Sequence, residues 1–306
     1  MPLCRGCTPP PYKDNEVGAV TAEARQLPGA IENSLADFDY MDVMPFPKKI
    51  LPKVAAVIPA RYGSTRFEGK PLAEILGKPM IQRVYEGVCQ SKLINEVFVA
   101  TDDHRILEAV RTFGGKAVMT SSSHTTGTDR VAEVARKLKA EIIVNVQGDE
   151  PLIKGSIIDK AVRPLLSDQN IPMSSLMTRI EKVEDWLNPN LAKVVVDRKN
   201  FALYFSRSPI PFPRDIQVSH PCSNPLGSRE TLPYRVFKHI GVYVYRRDFL
   251  MRFSRMKPTP LEKLEKLEQL RALENGYRIK LAYVDYEPIC VDIPEDLLKV
   301  VASLTQ

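Results

Sequence analysis

The chain has 306 residues, of which 44% are hydrophobic and 26% charged, with a formal net charge of +6. This composition is typical of a globular protein and excludes a disordered or fibrous chain. The sequence contains neither an apolar run of membrane-spanning length nor a secretory pattern, so we expect a cytoplasmic protein without a membrane span. Basic residues are not interleaved with aromatic ones, so we predict no nucleic-acid binding.

Residues 1–52 are rich in proline, with three consecutive prolines at 9–11, and they lack regular apolar periodicity. We therefore predict a poorly ordered extension followed by a folded domain at 53–306. Five scattered cysteines argue against a disulfide framework and agree with a reducing compartment. Cys4 and Cys7 form a C-x-x-C pair without a second pair or nearby histidines, so an unstructured tail explains them better than a zinc site.

From Val54 onward, short apolar runs alternate with amphipathic stretches, which predicts a parallel sheet flanked by helices. Strands are predicted at 54–59, 97–100, 142–146, 174–178, 194–197, 202–206, 240–245 and 279–284. Helices are predicted at 80–92, 105–113, 129–138, 155–166 and 261–275, with a last helix from about 294. Thr128 is the predicted cap of the helix at 129–138.

A basic loop with two glycines, PARYGSTRFEGKPL, follows the first predicted strand. Gly63 and Gly69 allow close backbone approach to a ligand. Its cations are Arg61, Arg66 and Lys70, and this combination of glycines and cations suits a triphosphate. The remaining alternative is a basic surface loop without a ligand.

Two common nucleotide motifs do not describe this loop. Five residues separate Gly63 from Gly69, whereas the Walker A motif has four, and Pro71 stands where Ser or Thr would ligate magnesium. The dinucleotide fingerprint G-x-G-x-x-G is also absent. The loop is therefore predicted to bind phosphates in another way.

Carboxylates follow the second and third predicted strands. Asp102 and Asp103 follow the second strand, and Asp149 and Glu150 follow the third. Because ligands bind at the carboxyl ends of strands in open α/β sheets, we expect these side chains at one edge of the sheet. Asp149 is predicted to be a magnesium ligand. For Asp102 and Asp103, capping of the next helix is as good an explanation as metal binding.

The blocks that follow these strands resemble those of the CMP-Kdo synthetases, also called 3-deoxy-manno-octulosonate cytidylyltransferases. The resemblance runs from about Val54 to the C-terminus, in the order and spacing of that family. Its nine blocks are PARYGSTRFEGKPL, ATDD, HTTGTDR, VNVQGDEP, NPNLAKVVVD, ALYFSR, HIGVYVYR, PLEKLEKLEQLR and VDIPEDL.

The resemblance implies an α/β fold of the nucleotidyltransferase type, Rossmann-like and glycosyltransferase-A-like, with a mixed, mostly parallel sheet flanked by helices. It implies a homodimer that joins CTP and 3-deoxy-D-manno-octulosonate (Kdo) into CMP-Kdo and pyrophosphate. It also implies that the reaction requires magnesium and serves lipopolysaccharide biosynthesis.

The resemblance also assigns roles to individual residues. The catalytic residues would be Arg61, Lys70, Asp149 and Asp292, with Asp149 and Asp292 as metal ligands. The nucleotide contacts would be Ala60, Arg61, Ser64, Lys70, Thr101, Asp102, Thr128 and Gln147. The sugar-acid contacts would be Arg207, His239, Tyr243, Glu268 and Gln269, with Arg207 suited to pair with the carboxylate.

Some alternatives stay open at this point. Without the resemblance, His239 and Tyr243 would equally be core residues of one strand face, and Glu268 and Gln269 an exposed helix surface. Glu68 stands where the family usually has proline. Alternative functions are a CMP-sialic acid synthetase, another sugar nucleotidyltransferase, and a catalytically inactive nucleotide-binding protein of the same fold.

Overall fold

A computed structural model of the protein describes residues 52–63, 66–214 and 231–305. Its strands are β1 (Val54–Ala60), β2 (Glu74–Ile75), β3 (Lys78–Pro79), β4 (Glu96–Thr101), β5 (Ala117–Met119), β6 (Ile142–Asn145), β7 (Met173–Lys182), β8 (Lys193–Val196), β9 (Ala202–Ser206), β10 (Thr231–Arg246) and β11 (Ile279–Tyr283). Its α-helices are α1 (Met80–Cys89), α2 (His104–Thr112), α3 (Gly127–Lys137), α4 (Gly155–Ser167), α5 (Val183–Leu187), α6 (Arg247–Phe253), α7 (Pro260–Glu265), α8 (Leu270–Glu274) and α9 (Asp296–Leu304).

The main sheet has the strand order β11-β7-β10-β6-β1-β4-β5. β1 pairs in parallel with both β4 and β6, β4 pairs in parallel with β5, and β7 pairs in parallel with β11. Only β10 runs against its two neighbours along this path, β6 and β7. β8 and β9 extend the sheet from β10 with antiparallel pairs. The predicted mixed, mostly parallel α/β sheet is therefore confirmed.

The central strand β1 is buried on both faces because helices cover both sides of the sheet. Successive side chains of a strand point to opposite faces. Ala56 and Ile58 therefore pack in one core with residues of α1, α2 and α4, whereas Ala55 and Val57 pack in a second core with residues of α3 and α6. This two-sided burial explains why the strand reads as one continuous apolar run in the sequence.

The predicted helix at 261–275 is wrong, because the chain forms two short helices there. α7 and α8 are separated at Lys266, which has the left-handed backbone angle φ 55°. Glu265 is held by tertiary bonds at this break: its Oε1 accepts from Ser206 Oγ at 2.7 Å, and its carbonyl accepts from Arg207 Nε at 2.7 Å. These contacts with β9 and the loop after it outweigh the helix-forming tendency of the leucine-rich run.

The predicted cap of the third helix is also wrong. α3 begins at Gly127, and the side chain of Thr126 accepts a hydrogen bond from Asp129 N at 3.1 Å. Thr128 lies inside the first turn, where it is buried and donates to Glu268 Oε2 at 2.5 Å. The sequence offers threonines at 125, 126 and 128, and residue type alone does not separate them.

Smaller differences concern lengths. α1 ends at Cys89 rather than at residue 92, and β10 begins at Thr231, nine residues before its predicted start. β5 has no predicted counterpart, since three residues are too few for a periodic pattern. Within the described residues, no helix is both long and apolar enough to span a bilayer. Ser64, the Cys4 and Cys7 pair, and the extension before Pro52 lie outside the described residues.

Candidate active site

The loop after β1 is closed by Gly69. Gly69 N donates to the carbonyl of Tyr62 at 3.0 Å, and its φ of 69° lies in the left-handed region that favours glycine. A Cβ at this position would lie 3.1 Å from the Tyr62 ring. The guanidinium of Arg105, on α2, covers that ring at 3.2 Å from its centroid and also pairs with Asp103 at 2.7 Å. The loop is therefore fixed to the residues that follow β4.

Two carboxylates from distant parts of the chain converge on Lys70. Its Nζ lies 2.8 Å from Asp149 Oδ2, after β6, and 3.9 Å from Asp292 Oδ1, after β11. It also donates to the carbonyl of Val291 at 2.8 Å. Arg66 pairs with the same Asp292 oxygen at 3.1 Å. The two carboxylates thus define a position that already holds a cation.

That position suits a divalent metal ion. Carboxylate oxygens are hard ligands, and magnesium is usually bound through one or two of them together with substrate phosphates and water. Among the described residues, no group of three or more His, Cys, Asp or Glu side chains is placed to hold a metal. An ion between Asp149 and Asp292 would therefore take its other ligands from phosphate oxygens and water.

A cavity of about 270 Å³ opens beside these carboxylates, and we call it the basic cavity. Thr126, which caps α3, and Gly127, its first residue, form part of the wall, so the positive end of the helix faces the cavity. Four cations of the described part of the chain line it, so it suits a polyanion. The predicted residues on its wall are Ala60, Arg61, Lys70, Gln147, Asp149 and Asp292.

Thr101, Asp102 and Asp103, at the carboxyl end of β4, are not among the residues that line the basic cavity. Asp103 caps α2 by accepting from Arg105 N at 2.8 Å, as the alternative reading of this carboxylate predicted. Asp102 pairs at 2.7 Å with Arg130, whose side chain is 5% exposed and lines the basic cavity. Thr101 is buried, and its Oγ1 accepts from Asp103 N at 3.2 Å. Asp102 thereby fixes a cation of the cavity wall.

A second group of polar side chains lies on β7, on β10 and just before α8. We call Ser175, His239, Tyr243, Glu268 and Gln269 the β10 cluster. Tyr243 Oη donates to Gln269 Oε1 at 3.1 Å, and the rings of His239 and Tyr243 are 5.2 Å apart. His239 Nε2 lies 2.7 Å from Ser175 Oγ. Gln269 is only 2% exposed, so the exposed-surface alternative for it is wrong.

The β10 cluster is largely uncharged. Burial lowers the pKa of His239 to about 3, so its imidazole is neutral at neutral pH. Burial raises the pKa of Tyr243 and that of Glu268 above their ordinary values. Two of its buried polar atoms, Gln269 Nε2 and Glu268 Oε1, have no hydrogen-bond partner among the described residues. Such atoms are rare in native proteins and indicate a place for a polar ligand or water.

Glu268 connects this cluster to α3, whose first residue Gly127 lines the basic cavity. Its Oε2 accepts from Thr128, in the first turn of α3, and its Oε1 lies 3.8 Å from the guanidinium of Arg271. Arg271 is held in turn by two hydrogen bonds to Glu262, at 2.8 and 2.5 Å. Gln147 makes a second connection, since it lines the cavity and donates to the carbonyl of Gly241 on β10 at 3.3 Å.

Arg207 follows β9 and is anchored by backbone carbonyls. Its guanidinium donates to the carbonyls of Glu265, Pro189 and Lys266, at 2.7, 3.0 and 3.4 Å. A guanidinium carries five N–H donors, so two remain for a ligand such as a carboxylate.

A family model described as cytidylyltransferase matches residues 55–280 of this chain. The chain belongs to the cytidylyltransferase family. A 3-deoxy-manno-octulosonate cytidylyltransferase of Geotalea uraniireducens is 58% identical over 252 residues, which cover 82% of this chain and 99% of that protein. A protein of the same name from Geobacter metallireducens is 56% identical over 256 residues, with 83% and 98% covered.

A solved structure also resembles this cytidylyltransferase. It is described as CMP:2-keto-3-deoxy-manno-octonic acid synthetase complexed with CTP, and it is 43% identical with a TM-score of 0.75. The match covers 83% of this chain and 99% of that chain. The resemblance drawn from the nine sequence blocks is therefore confirmed.

Sequence reasoning missed several residues that build the site of this cytidylyltransferase. Arg130 and His124 line the basic cavity, and both stand in the HTTGTDR block that carried the resemblance. No sequence pattern marks Arg130, because its burial and its pairing with Asp102 arise only in the fold. Ser175 carries no signal either, because a serine in a strand is ordinary.

Proposed function

We propose that this cytidylyltransferase transfers CMP from CTP to Kdo, with release of pyrophosphate, and so supplies CMP-Kdo for lipopolysaccharide biosynthesis. Two relatives named for this activity match at 58% and 56% identity over nearly their whole length, and the solved relative is complexed with CTP. The observation that carries the proposal is the convergence of Lys70, Asp149 and Asp292 at the basic cavity, which Gln147 connects to the β10 cluster.

In this proposal the basic cavity holds CTP. Lys70 and Arg61 face the triphosphate and stabilise the charge that develops on the departing pyrophosphate. The amino-terminal end of α3 adds its dipole to these cations. Ala60, Thr101, Asp102 and Gln147 are proposed to place the cytidine, with Asp102 acting through Arg130.

Asp149 and Asp292 are the proposed ligands of Mg²⁺. The ion, when bound, neutralises phosphate charge and polarises the phosphoryl group for attack. Lys70 stands at the same carboxylates in this structure, so binding of the ion and CTP would give its ammonium new partners among the phosphates.

The β10 cluster and Arg207 are proposed to hold Kdo. Arg207 has donors left for the sugar carboxylate, and the neutral side chains of the cluster suit hydroxyl groups. Held between these groups and the cavity, the anomeric hydroxyl would attack the α-phosphorus in line with the leaving pyrophosphate.

We further propose that the protein is a cytoplasmic homodimer whose folded domain spans 53–306 after the extension at 1–52. Light scattering coupled to size-exclusion chromatography measures the oligomeric state. A monomeric mass at assay concentrations would contradict the dimer.

Pyrophosphate release tests the function together with its rivals. The triphosphates CTP, UTP and ATP are each combined with Kdo, N-acetylneuraminic acid or a hexose 1-phosphate in the presence of Mg²⁺, and the product is identified by mass spectrometry. We expect release with CTP and Kdo only. Release with N-acetylneuraminic acid instead would favour a CMP-sialic acid synthetase, and no release with any pair would favour an inactive binding protein.

A further inference from the structure

Ser175 meets three partners at once through its hydroxyl oxygen. Ser175 lies on β7, is fully buried, and has its Oγ 2.7 Å from the carbonyl oxygen of Val242 and 3.1 Å from that of Ile240. The same Oγ lies 2.7 Å from His239 Nε2. The register shift between Ile240 and Val244 on β10 brings both carbonyls to this one hydroxyl.

The direction of the Ser175 hydroxyl proton determines which ring nitrogen of His239 carries a proton. The two carbonyl oxygens only accept hydrogen bonds, so the Ser175 proton must point at one of them. If it pointed at His239 instead, two carbonyl oxygens would face the Ser175 oxygen with no proton between them. Ser175 Oγ is therefore the acceptor toward the ring, and His239 carries its proton on Nε2.

A neutral imidazole with its proton on Nε2 has an unprotonated Nδ1, which accepts hydrogen bonds. Burial keeps the ring neutral, since the pKa of His239 is lowered to about 3. The rings of Phe205 and Tyr243, at 5.1 and 5.2 Å, fix its plane. No described residue bonds to His239 Nδ1, and none of them accepts a hydrogen bond from Gln269 Nε2 beside Tyr243.

We propose that Ser175 is a positioning residue that fixes the tautomer of His239, so that His239 Nδ1 accepts a hydrogen bond from a hydroxyl group of the sugar acid. Gln269 Nε2 is then the complementary donor to an oxygen of the same ligand. This proposal rests on the proposed function for the identity of the ligand, whereas the tautomer itself is a property of the free protein.

The adjacent serine supplies a matched control. Ser174 is also fully buried on β7 and also donates to a backbone carbonyl, that of Ala161, at 2.6 Å. Because neighbouring residues of a strand face opposite sides, Ser174 points away from His239. Ser174→Ala therefore removes an equally buried hydroxyl without touching the imidazole.

Nitrogen NMR of the full chain labelled with ¹⁵N-histidine reads the tautomer directly. The protein has four histidines, and His239→Gln assigns the resonances. We expect a protonated Nε2 and an unprotonated Nδ1 in the wild type and in Ser174→Ala, and a mixture of both tautomers in Ser175→Ala. Addition of Kdo should shift the wild-type Nδ1 resonance toward that of a hydrogen-bonded acceptor.

Kinetics of pyrophosphate release complete the test. Losing one hydrogen bond between neutral groups should raise the KM for Kdo about fivefold in Ser175→Ala, with the KM for CTP unchanged. Ser174→Ala should keep both values within about twofold. Ser175→Thr keeps the hydroxyl and should restore the wild-type tautomer.

A protonated Nδ1 in the wild type would overturn the proposal, and this measurement needs no variant to fold. An unchanged tautomer in a folded Ser175→Ala would overturn it equally, as would an Nδ1 resonance that does not respond to saturating Kdo in an enzyme that uses Kdo. If the wild-type enzyme released no pyrophosphate with Kdo, the proposed function would fail instead, and the tautomer result would stand apart from it.

Discussion

The basic cavity and the β10 cluster keep their polar groups in different states before any ligand binds. In the cavity, charges pair with each other: Lys70 holds Asp149 at 2.8 Å, and Arg66 holds Asp292 at 3.1 Å. In the β10 cluster the side chains are at most partly exposed and mostly neutral, and Gln269 Nε2 has no partner among the described residues. Ion pairs near solvent can exchange partners at little cost, whereas an unpaired buried group strongly favours a ligand that satisfies it. The basic cavity is thus suited to binding a highly charged ligand. The β10 cluster is suited to discriminating among hydroxylated acids.

Replacing Asp149, in the basic cavity, should reduce activity more than any of the other substitutions below. We expect Asp149→Asn to slow pyrophosphate release roughly a hundredfold to a thousandfold, the scale of losing one preorganised electrostatic group. Steady-state kinetics at saturating Mg²⁺ measure the loss, and circular dichroism verifies the fold. Asp197→Asn removes a strand-following carboxylate outside the cavity, where Asp197 pairs with Arg278, and should keep turnover within about twofold. Wild-type turnover of Asp149→Asn would contradict the metal assignment.

The ion pair beneath the β10 cluster should matter mainly for stability. Arg271 is paired with Glu262, and both side chains are nearly buried, so Arg271→Gln leaves an uncompensated carboxylate inside the protein. We expect a loss of about 3–5 kcal/mol in the free energy of unfolding. Arg111→Gln, which breaks an exposed pair with Glu108, should cost less than about 1 kcal/mol. Urea denaturation of both variants measures the two losses, and similar costs would argue against a buried role for Arg271.

The neutrality of His239 predicts a pH dependence of stability. Its pKa is about 3 in the folded protein and near 6.5 otherwise, so below pH 6.5 the unfolded chain takes up a proton that the folded protein excludes. Stability is therefore lost as the pH falls from 6.5 toward 3, by up to about 1.4 kcal/mol per pH unit. Urea unfolding at several pH values should show the wild type losing stability relative to His239→Gln. Parallel curves for the two proteins would show that folding does not lower the pKa of His239.

Substitutions of Gly69 and Gly77 should have the smallest effects, and only the first should change the KM for CTP. In Gly69→Ala the added Cβ meets the Tyr62 ring at 3.1 Å, so the loop that carries Lys70 must shift. We expect the KM for CTP to rise about tenfold while the KM for Kdo stays the same. Gly77 has a similar φ of 75°, but nothing lies within 4 Å of an added Cβ. Gly77→Ala should therefore cost about 1 kcal/mol of stability and leave the KM for CTP unchanged. Equal CTP kinetics in both variants would show that the contact with Tyr62 does not position the loop.

The parts of the fold that could be predicted from the sequence are those set by local pattern. β1, β4 and β6 are central and buried on both faces, so each reads as an apolar run. The break at Lys266 could not be predicted, because it depends on bonds from Ser206 and Arg207 to Glu265, some 60 residues away along the chain. Propensity does not contain such contacts.

The same limit applies to the site. Residue types after each strand were sufficient to predict which side chains carry charge to the sheet edge. The sequence alone could not show that Asp292 reaches Lys70, or that Thr128 reaches Glu268, because these pairs are brought together only by the fold. The roles of the individual site residues stay predictions until their variants are measured.

The salt dependence of the two Michaelis constants tests the division between charged and neutral regions most directly. The KM values for CTP and for Kdo are measured from about 0.05 to 0.5 M NaCl at constant free Mg²⁺, a range over which the screening length shortens severalfold. We predict that the KM for CTP rises steeply, because the basic cavity binds a polyanion, and that the KM for Kdo rises much less, because one carboxylate meets Arg207 while neutral groups hold the rest. A KM for Kdo that rises as steeply as that for CTP would contradict the account.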